Sequence, residues 1–207
     1  MKKLFPILFA AIAFTACEKE PDSDKLDNKY LVYTDYDTNF DFKQMQTYYV
    51  PDSILYINSG EKQEFWSSES ASNVLGWFIE NMNKNYVRVD NIEDADLGLQ
   101  LSYVASTYTF RDYVNGPWWN GYPYYWNPGY WGGYWGGWYH PFIISYSYTI
   151  GSIIGEMVYL NEPESKKLPV VWDTYISGII NSSGNIDPVR TEAAINQAFI
   201  QSPYLNK

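Results

Sequence analysis

Leu97-Gly98-Leu99-Gln100-Leu101-Ser102-Tyr103 is the stretch that decides how this chain folds. Large apolar side chains stand at every second position, and small or polar ones fill the places between. A period of two belongs to a β-strand with one face on a core, because successive side chains leave a strand on opposite sides. The pattern predicts a strand over 97–108. Such a face needs a cover, and a candidate lies just upstream. Over 67–84, Val74, Phe78 and Met82 recur four apart with Leu75 and Ile79 beside them, which predicts a helix with one apolar face. Serines near its start can cap it.

Further strands are expected over 31–36, 47–50 (closed by Pro51) and 86–89, from runs of β-branched and aromatic residues. Beyond a long aromatic segment, 142–160 and 170–180 read as strands separated by a polar turn, with a bend or bulge expected at Gly151 or Gly155. Asp187-Pro188 predicts a helix start, with Asp as N-cap and Pro at the first helical position. Ala194, Ile195, Ala198 and Phe199 would form that helix's inner face. Two helices among runs of strand, without regular β-α-β alternation, indicate one α+β domain over 30–207. The expected architecture is a largely antiparallel sheet of about five or six strands with two helices on one face. Its core would include Val74, Phe78, Ile79, Leu99, Leu101, Val171, Ile195 and Phe199.

The start of the chain has a different character. Lys2 and Lys3 precede an apolar run too short to span a bilayer, which ends in Phe14-Thr15-Ala16-Cys17. This resembles a bacterial lipoprotein signal over 1–16, with Phe14 where Leu is usual and Cys17 as the acylated first residue. An ordinary secretory signal with a chance cysteine is the competing reading. Residues 17–29 are polar and charged, as in a flexible tether. Within them Lys19-Glu20 and Asp22-Ser23-Asp24 resemble the acidic export signals of surface lipoproteins in Bacteroidetes. The expected location is the outer membrane, at its periplasmic face or at the cell surface.

Charge and cysteine usage narrow the partners. Loss of residues 1–16 removes two of the 14 basic residues and none of the 24 acids, leaving a net charge of −12. That sign argues against nucleic acid and against attraction to anionic headgroups, so membrane attachment would rest on acyl chains. Cys17 is the one cysteine, so its acylation would leave no thiol for a disulfide, a metal or catalysis.

Residues 113–141 form a Gly- and aromatic-rich insert, with Pro117-Trp118-Trp119, Tyr124-Tyr125-Trp126 and Tyr130-Trp131-Gly132-Gly133-Tyr134-Trp135-Gly136-Gly137-Trp138-Tyr139. Each Gly costs a helix about 1 kcal/mol and each Pro about 3 relative to Ala, so no stable helix forms here. Three readings stay open: a long hairpin loop packed on its own domain, a docking surface for a protein or headgroup zone, and a platform for stacking on sugars. Trp118, Trp119, Tyr125, Trp126, Trp131, Trp135 and Trp138 are the candidate interaction residues in the last two.

Catalytic chemistry finds little footing. His140 is the one histidine, with no Gly-x-Ser-x-Gly elbow and no free thiol to activate. A zinc set would need carboxylates for most of its ligands. Asp35-x-Asp37-x-Asn39-x-Asp41 begins like a calcium loop, but the sixth place is Phe40 and the twelfth Gln46, so a turn with side-chain-to-backbone bonds is expected. Asp94 and Asp96 before the central strand read as a turn. Asp52-Ser53-Ile54 resembles a short O-glycan acceptor pattern. A glycosidase would need a positioned carboxylate pair, and nothing in the sequence supplies one. No catalytic residue, metal or cofactor is expected.

Several of these pieces fall in the order of a known family. Thr34-Asp35-Tyr36-Asp37, Phe40-Asp41-Phe42 and Thr47-Tyr48 resemble the opening of the Domain of Unknown Function 4136 family of bacterial lipoproteins. Asp94-Ala95-Asp96-Leu97 resembles its step into a central strand. Gly155-Glu156-Met157-Val158-Tyr159-Leu160 and Leu168-Pro169-Val170-Val171-Trp172 resemble its later strand pair, and the last helix with Ser202-Pro203 its ending. Asp173, where a basic or small residue is commoner, and Tyr159, where an acid often sits, depart from the pattern. The resemblance implies fold and lipidation, and it brings no activity. The expected role is therefore non-enzymatic: an envelope lipoprotein whose aromatic segment engages another envelope component or packs as structure. A surface glycan-binding lipoprotein is the alternative.

Overall fold

The computed structural model describes residues 30–57, 64–105, 149–161 and 168–207, with the backbone of Trp138 and Tyr139. The expected signal, tether and Cys17 lie outside the described residues. Among them the chain forms β1 (Leu31–Tyr36), β2 (Thr47–Tyr49), β3 (Ile54–Ile57), β4 (Glu64–Trp66), α1 (Glu69–Met82), β5 (Val87–Arg88), β6 (Leu97–Val104), β7 (Trp138–Tyr139), β8 (Ser152–Tyr159), β9 (Leu168–Ser177) and α2 (Pro188–Ile200). No described helix is long and apolar enough to cross a membrane.

The fold class is α+β, but the sheet is mixed and has more strands than expected. Its order is β1-β9-β8-β6-β2-β5, with β3 beside β6, β4 outside β3, and β7 against the start of β9. The β1-β9-β8-β6 half is antiparallel. The other half holds three parallel pairs: β2 with β5, β2 with β6, and β3 with β6. The reason is α1. Parallel neighbours need a crossover, and α1 stands in the chain between β2 and β5 and between β3 and β6. Ile54-Leu55-Tyr56-Ile57 escaped the sequence reading because it does not alternate. Ile54, Leu55 and Ile57 are all buried, so both faces of β3 are covered.

Both helices start where their caps predict. The Ser68 hydroxyl accepts from the Ala71 N–H at 3.1 Å, and the Asp187 carboxylate accepts from the Arg190 N–H at 3.1 Å. Both pack on one face of the sheet. Val74, Phe78 and Met82 from α1 and Ala194, Ile195 and Ala198 from α2 share one core with Leu97, Leu99, Leu101, Ile153, Met157, Trp172 and Ile176. Of the expected core, Ile79 and Phe199 are only partly buried and pack against its margin.

Two glycines make this arrangement possible. A Cβ on Gly155 would stand 3.0 Å from Thr174 Cγ2 and 3.1 Å from Phe78 Cε1, so the bare backbone lets Phe78 settle onto β8. Gly151 has φ of 78°, and a Cβ there would overlap Ile180 Cδ1; it makes the turn into β8 rather than a kink within it. The irregularity expected at one of these glycines falls between Met157 and Val158 instead, where the β8–β9 register shifts.

Candidate functional site

Strand alternation fixes the chemistry of the sheet's second face, the one turned away from both helices. Opposite Leu99 and Leu101, β6 presents Gln100 and Ser102; opposite Ile153 and Met157, β8 presents Ile154 and Glu156; opposite Trp172 and Ile176, β9 presents Asp173 and Tyr175. Gln100, Ser102, Ser152, Glu156 and Asp173 are all buried. Register aligns Gln100, Glu156, Asp173 and Asp35 in one row across four strands.

Glu156 and Asp173 are the closest members of that row. The Asp37 N–H donates to the Val171 carbonyl, and the Leu160 N–H to the Asp96 carbonyl, each at 2.9 Å. Asp173 therefore turns its backbone groups to β1, and Glu156 turns its own to β6. They face each other as a non-hydrogen-bonded pair, the closer kind, with Cα atoms about 4.5 Å apart. Glu156 is 1% exposed and Asp173 0%. Burial, and then the negative charge of Asp173, push the Glu156 carboxyl well above the usual carboxylate range. At the edge of the row, the Tyr33 hydroxyl donates to Asp35 Oδ2 at 3.1 Å. Burial first, and the neighbouring Asp35 and Asp173 charges after it, push Tyr33 up to about 12.

A hydroxyl cluster lies beside the row, where β8 begins. Thr149 Oγ1 lies 3.0 Å from Ser152 Oγ and 2.9 Å from Tyr175 Oη. Ser152 Oγ and the Thr149 N–H both donate to Tyr175 Oη, at 2.9 Å and 3.0 Å. These bonds fix the chain at the C-terminal stem of the aromatic segment. At the other stem, the Ala105 N–H donates to the Ile57 carbonyl, and the Gly151 N–H ties back to the Val104 carbonyl, each at 2.7 Å.

Of the candidate interaction residues, Trp138 falls in β7, whose backbone pairs with β9 (Trp138 opposite Leu168). Trp118, Trp119, Tyr125, Trp126, Trp131 and Trp135, with His140, lie outside the described residues. A second aromatic surface, which the sequence reading missed, lies next to the N-terminal stem. Trp66 stacks on Tyr103 with ring centroids 4.4 Å apart, and Tyr56 stacks on Tyr103 at 5.9 Å. All three are half-buried. Three strands bring these rings together, and no local pattern announces that.

The acidic turns are structural. Asp37 Oδ1 accepts from the Asn39 N–H at 2.9 Å, and Asp41 Oδ1 from the Lys43 N–H at 3.1 Å, the side-chain-to-backbone bonds expected there. Asp96 does more than make a turn. Its Oδ2 accepts from the N–H groups of Gln46 (2.7 Å) and Thr47 (3.0 Å) and from the Thr47 hydroxyl (3.1 Å), while Oδ1 accepts from Asn161. Burial alone would raise this carboxyl, but those bonds, with the Lys207 charge, outweigh it and hold Asp96 below its ordinary value. Among the described residues, no three His, Cys, Asp or Glu side chains gather as metal ligands.

The model of the family described as Domain of unknown function (DUF4136) matches residues 32–204. The chain belongs to this family. A crystal structure of a DUF4136 family protein from Bacteroides thetaiotaomicron superimposes with a TM-score of 0.75 and is 47% identical, covering 87% of this chain and 99% of that one. No curated protein matches this chain. The buried Glu156–Asp173 pair thus sits in the paired later strands of a DUF4136 domain, and Asp96 in the step into its central strand.

Proposed function

We propose that this DUF4136 protein is a non-enzymatic lipoprotein, held in the outer membrane by acyl chains on Cys17, and that its aromatic segment engages another component of the envelope. The observation that carries the reading is how the segment is mounted. It connects β6 and β8, two antiparallel neighbours in the middle of the sheet, and both stems are tied by hydrogen bonds. Recognition segments gain from a rigid scaffold of this kind. The domain begins near Tyr30, so the 13 residues after Cys17 allow it at most about 45 Å of reach from the membrane. The absence of catalysis is favoured by Glu156 and Asp173 being closed to solvent, since a catalytic carboxyl must touch its substrate.

The half-buried stack of Trp66, Tyr103 and Tyr56 favours the second reading, a glycan-binding lipoprotein, because it adds ring surface beside the segment's stem. In cells, Cys17→Ser should move the full-length protein from the outer-membrane fraction to the soluble envelope fraction; unchanged fractionation sinks the anchor. Crosslinked envelope partners should disappear when Trp131, Trp135 and Trp138 are replaced together by Ala. Saturable sugar binding lost in the same variant would select the glycan reading. Turnover of an envelope polymer, abolished by one carboxylate change, would overturn the non-enzymatic one.

A further inference from the structure

We infer that the end of the domain where the tether enters rests on a phospholipid surface through Leu31, Ile150 and Val189. The inference goes beyond the acyl anchor proposed above and depends on it. Six large apolar side chains are exposed among the described residues, and these three stand at one end of the sheet. Leu31 opens β1, opposite Ser177 where β9 finishes. Ile150 lies in the turn into β8, whose Gly151 packs on Ile180 just past β9. Val189 lies in the first turn of α2, whose cap residue Asp187 donates its N–H to the Ile179 carbonyl at 2.8 Å. Leu31 is 59% exposed, Ile150 58% and Val189 78%. The remaining three are dispersed: Phe65 on β4, Val87 on β5 and Ile200 at the other end of α2. Single exposed apolar residues need no explanation, but a group gathered at one end does.

Three observations select a lipid surface. The tether that carries Cys17 joins the domain at Tyr30, beside Leu31, so acyl chains in a bilayer bring this end toward it first. The sheet and α2 are separate layers, so the three side chains span the end of the domain rather than one face, as contact with a plane requires. Carboxylates crowd the opposite end: Asp37 and Asp41 follow β1, and Asp90, Glu93, Asp94 and Asp96 precede β6. At the tether end Asp187 has Arg190 at 3.7 Å, and Glu64 and Glu192 are the acids nearby. Repulsion from anionic headgroups, which reaches about 10 Å, therefore turns the crowded end away. Shallow insertion suffices, because the tether keeps the domain within about 45 Å of the surface and makes the contact intramolecular. Both stems of the aromatic segment, at Ala105 and Thr149, leave from the same end, while its β7 pairs at the opposite end beside Leu168. The surface needs only the three described side chains.

Cys17 is the one cysteine and its acylation blocks it, so a cysteine introduced elsewhere can be labelled alone. Full-length lipidated protein carrying Leu31→Cys, Ile150→Cys or Val189→Cys would take a polarity-sensitive dye and enter vesicles of phosphatidylethanolamine with a minor share of phosphatidylglycerol. Val87→Cys, at the opposite end of the sheet, is the control. All four positions are exposed, so the fold should tolerate each change. Emission from the first three should shift to the blue and be quenched by lipids brominated near the headgroup, while the control keeps the emission of a dye in water. Adding Ile150→Asp and Val189→Asp should abolish quenching at the Leu31 site. Vesicle flotation separates this inference from the anchor. Protein that floats while all four dyes stay unquenched keeps the anchor and overturns the docked end; protein that does not float overturns both. A blue shift without quenching overturns the lipid in favour of a protein partner or a second copy. Equal quenching at all four sites also overturns the proposal, because the domain then has no preferred end.

Discussion

On the helix side of the sheet, β6, β8 and β9 present Leu97, Leu99, Leu101, Ile153, Met157, Trp172 and Ile176 to the two helices. On the other side the same strands present Gln100, Ser102, Glu156, Asp173 and Tyr175, and these are just as buried. One face is held by volume: rings and branched chains interlock, and removing atoms leaves a cavity. The other is held by direction: hydroxyls and carboxyls must meet donors and acceptors, and removing atoms leaves a partner unsatisfied. The contrast predicts how each face fails, and each of the changes below tests it from one side.

The largest effect belongs to the helix face. Phe78 is fully buried, lies on the bare backbone of Gly155 and meets Phe199 edge-on at 5.9 Å. Phe78→Ala should cost about 4 kcal/mol in urea unfolding, from lost transfer energy and the cavity together. A cost under about 1 kcal/mol would mean that the helices can collapse into the gap, which a closely interlocked face does not allow. On the second face, Tyr175→Phe keeps the ring and removes only the hydroxyl on which Thr149 and Ser152 converge. About 1–1.5 kcal/mol should be lost, less than on the helix face. Equal losses from the two variants would erase the distinction between volume and direction.

These differences also explain what could be read from the chain beforehand. The helix face was legible because Leu97, Leu99 and Leu101 alternate, and because Val74, Phe78 and Met82 repeat four apart. Caps at Ser68 and Asp187 declared themselves through local chemistry. The parallel half of the sheet was hidden because α1 acts over a distance: it reorders β2, β3, β5 and β6 without marking any of them. Two-residue β5 and the non-alternating β3 carry too little pattern to fix partners. The carboxyl pair was hidden for another reason. Glu156 and Asp173 stand in strand-forming runs where a polar residue at alternate places reads as solvent-facing, and only the register sets them opposite each other. The departure at Asp173 was visible in the sequence; its partner was not.

The smallest expected effect belongs to a carboxyl shifted the other way from Glu156, and so sharpens the comparison further. Asp96 sits at the entry to β6, partly exposed, and clasps the start of β2 through the N–H groups of Gln46 and Thr47. Its carboxyl is held below its ordinary value, by those bonds against the opposing pull of burial. A depressed carboxyl contributes stability that is present above its unfolded value, near 3.9, and that is lost as pH falls through its folded value. Solvent screening at a partly exposed group keeps the contribution below about 1 kcal/mol. Asp96→Asn should therefore be slightly less stable than the wild type at neutral pH, and the gap should narrow as pH falls below the unfolded carboxyl's value. A gap that persists in acid would mean that Asp96 acts through shape alone.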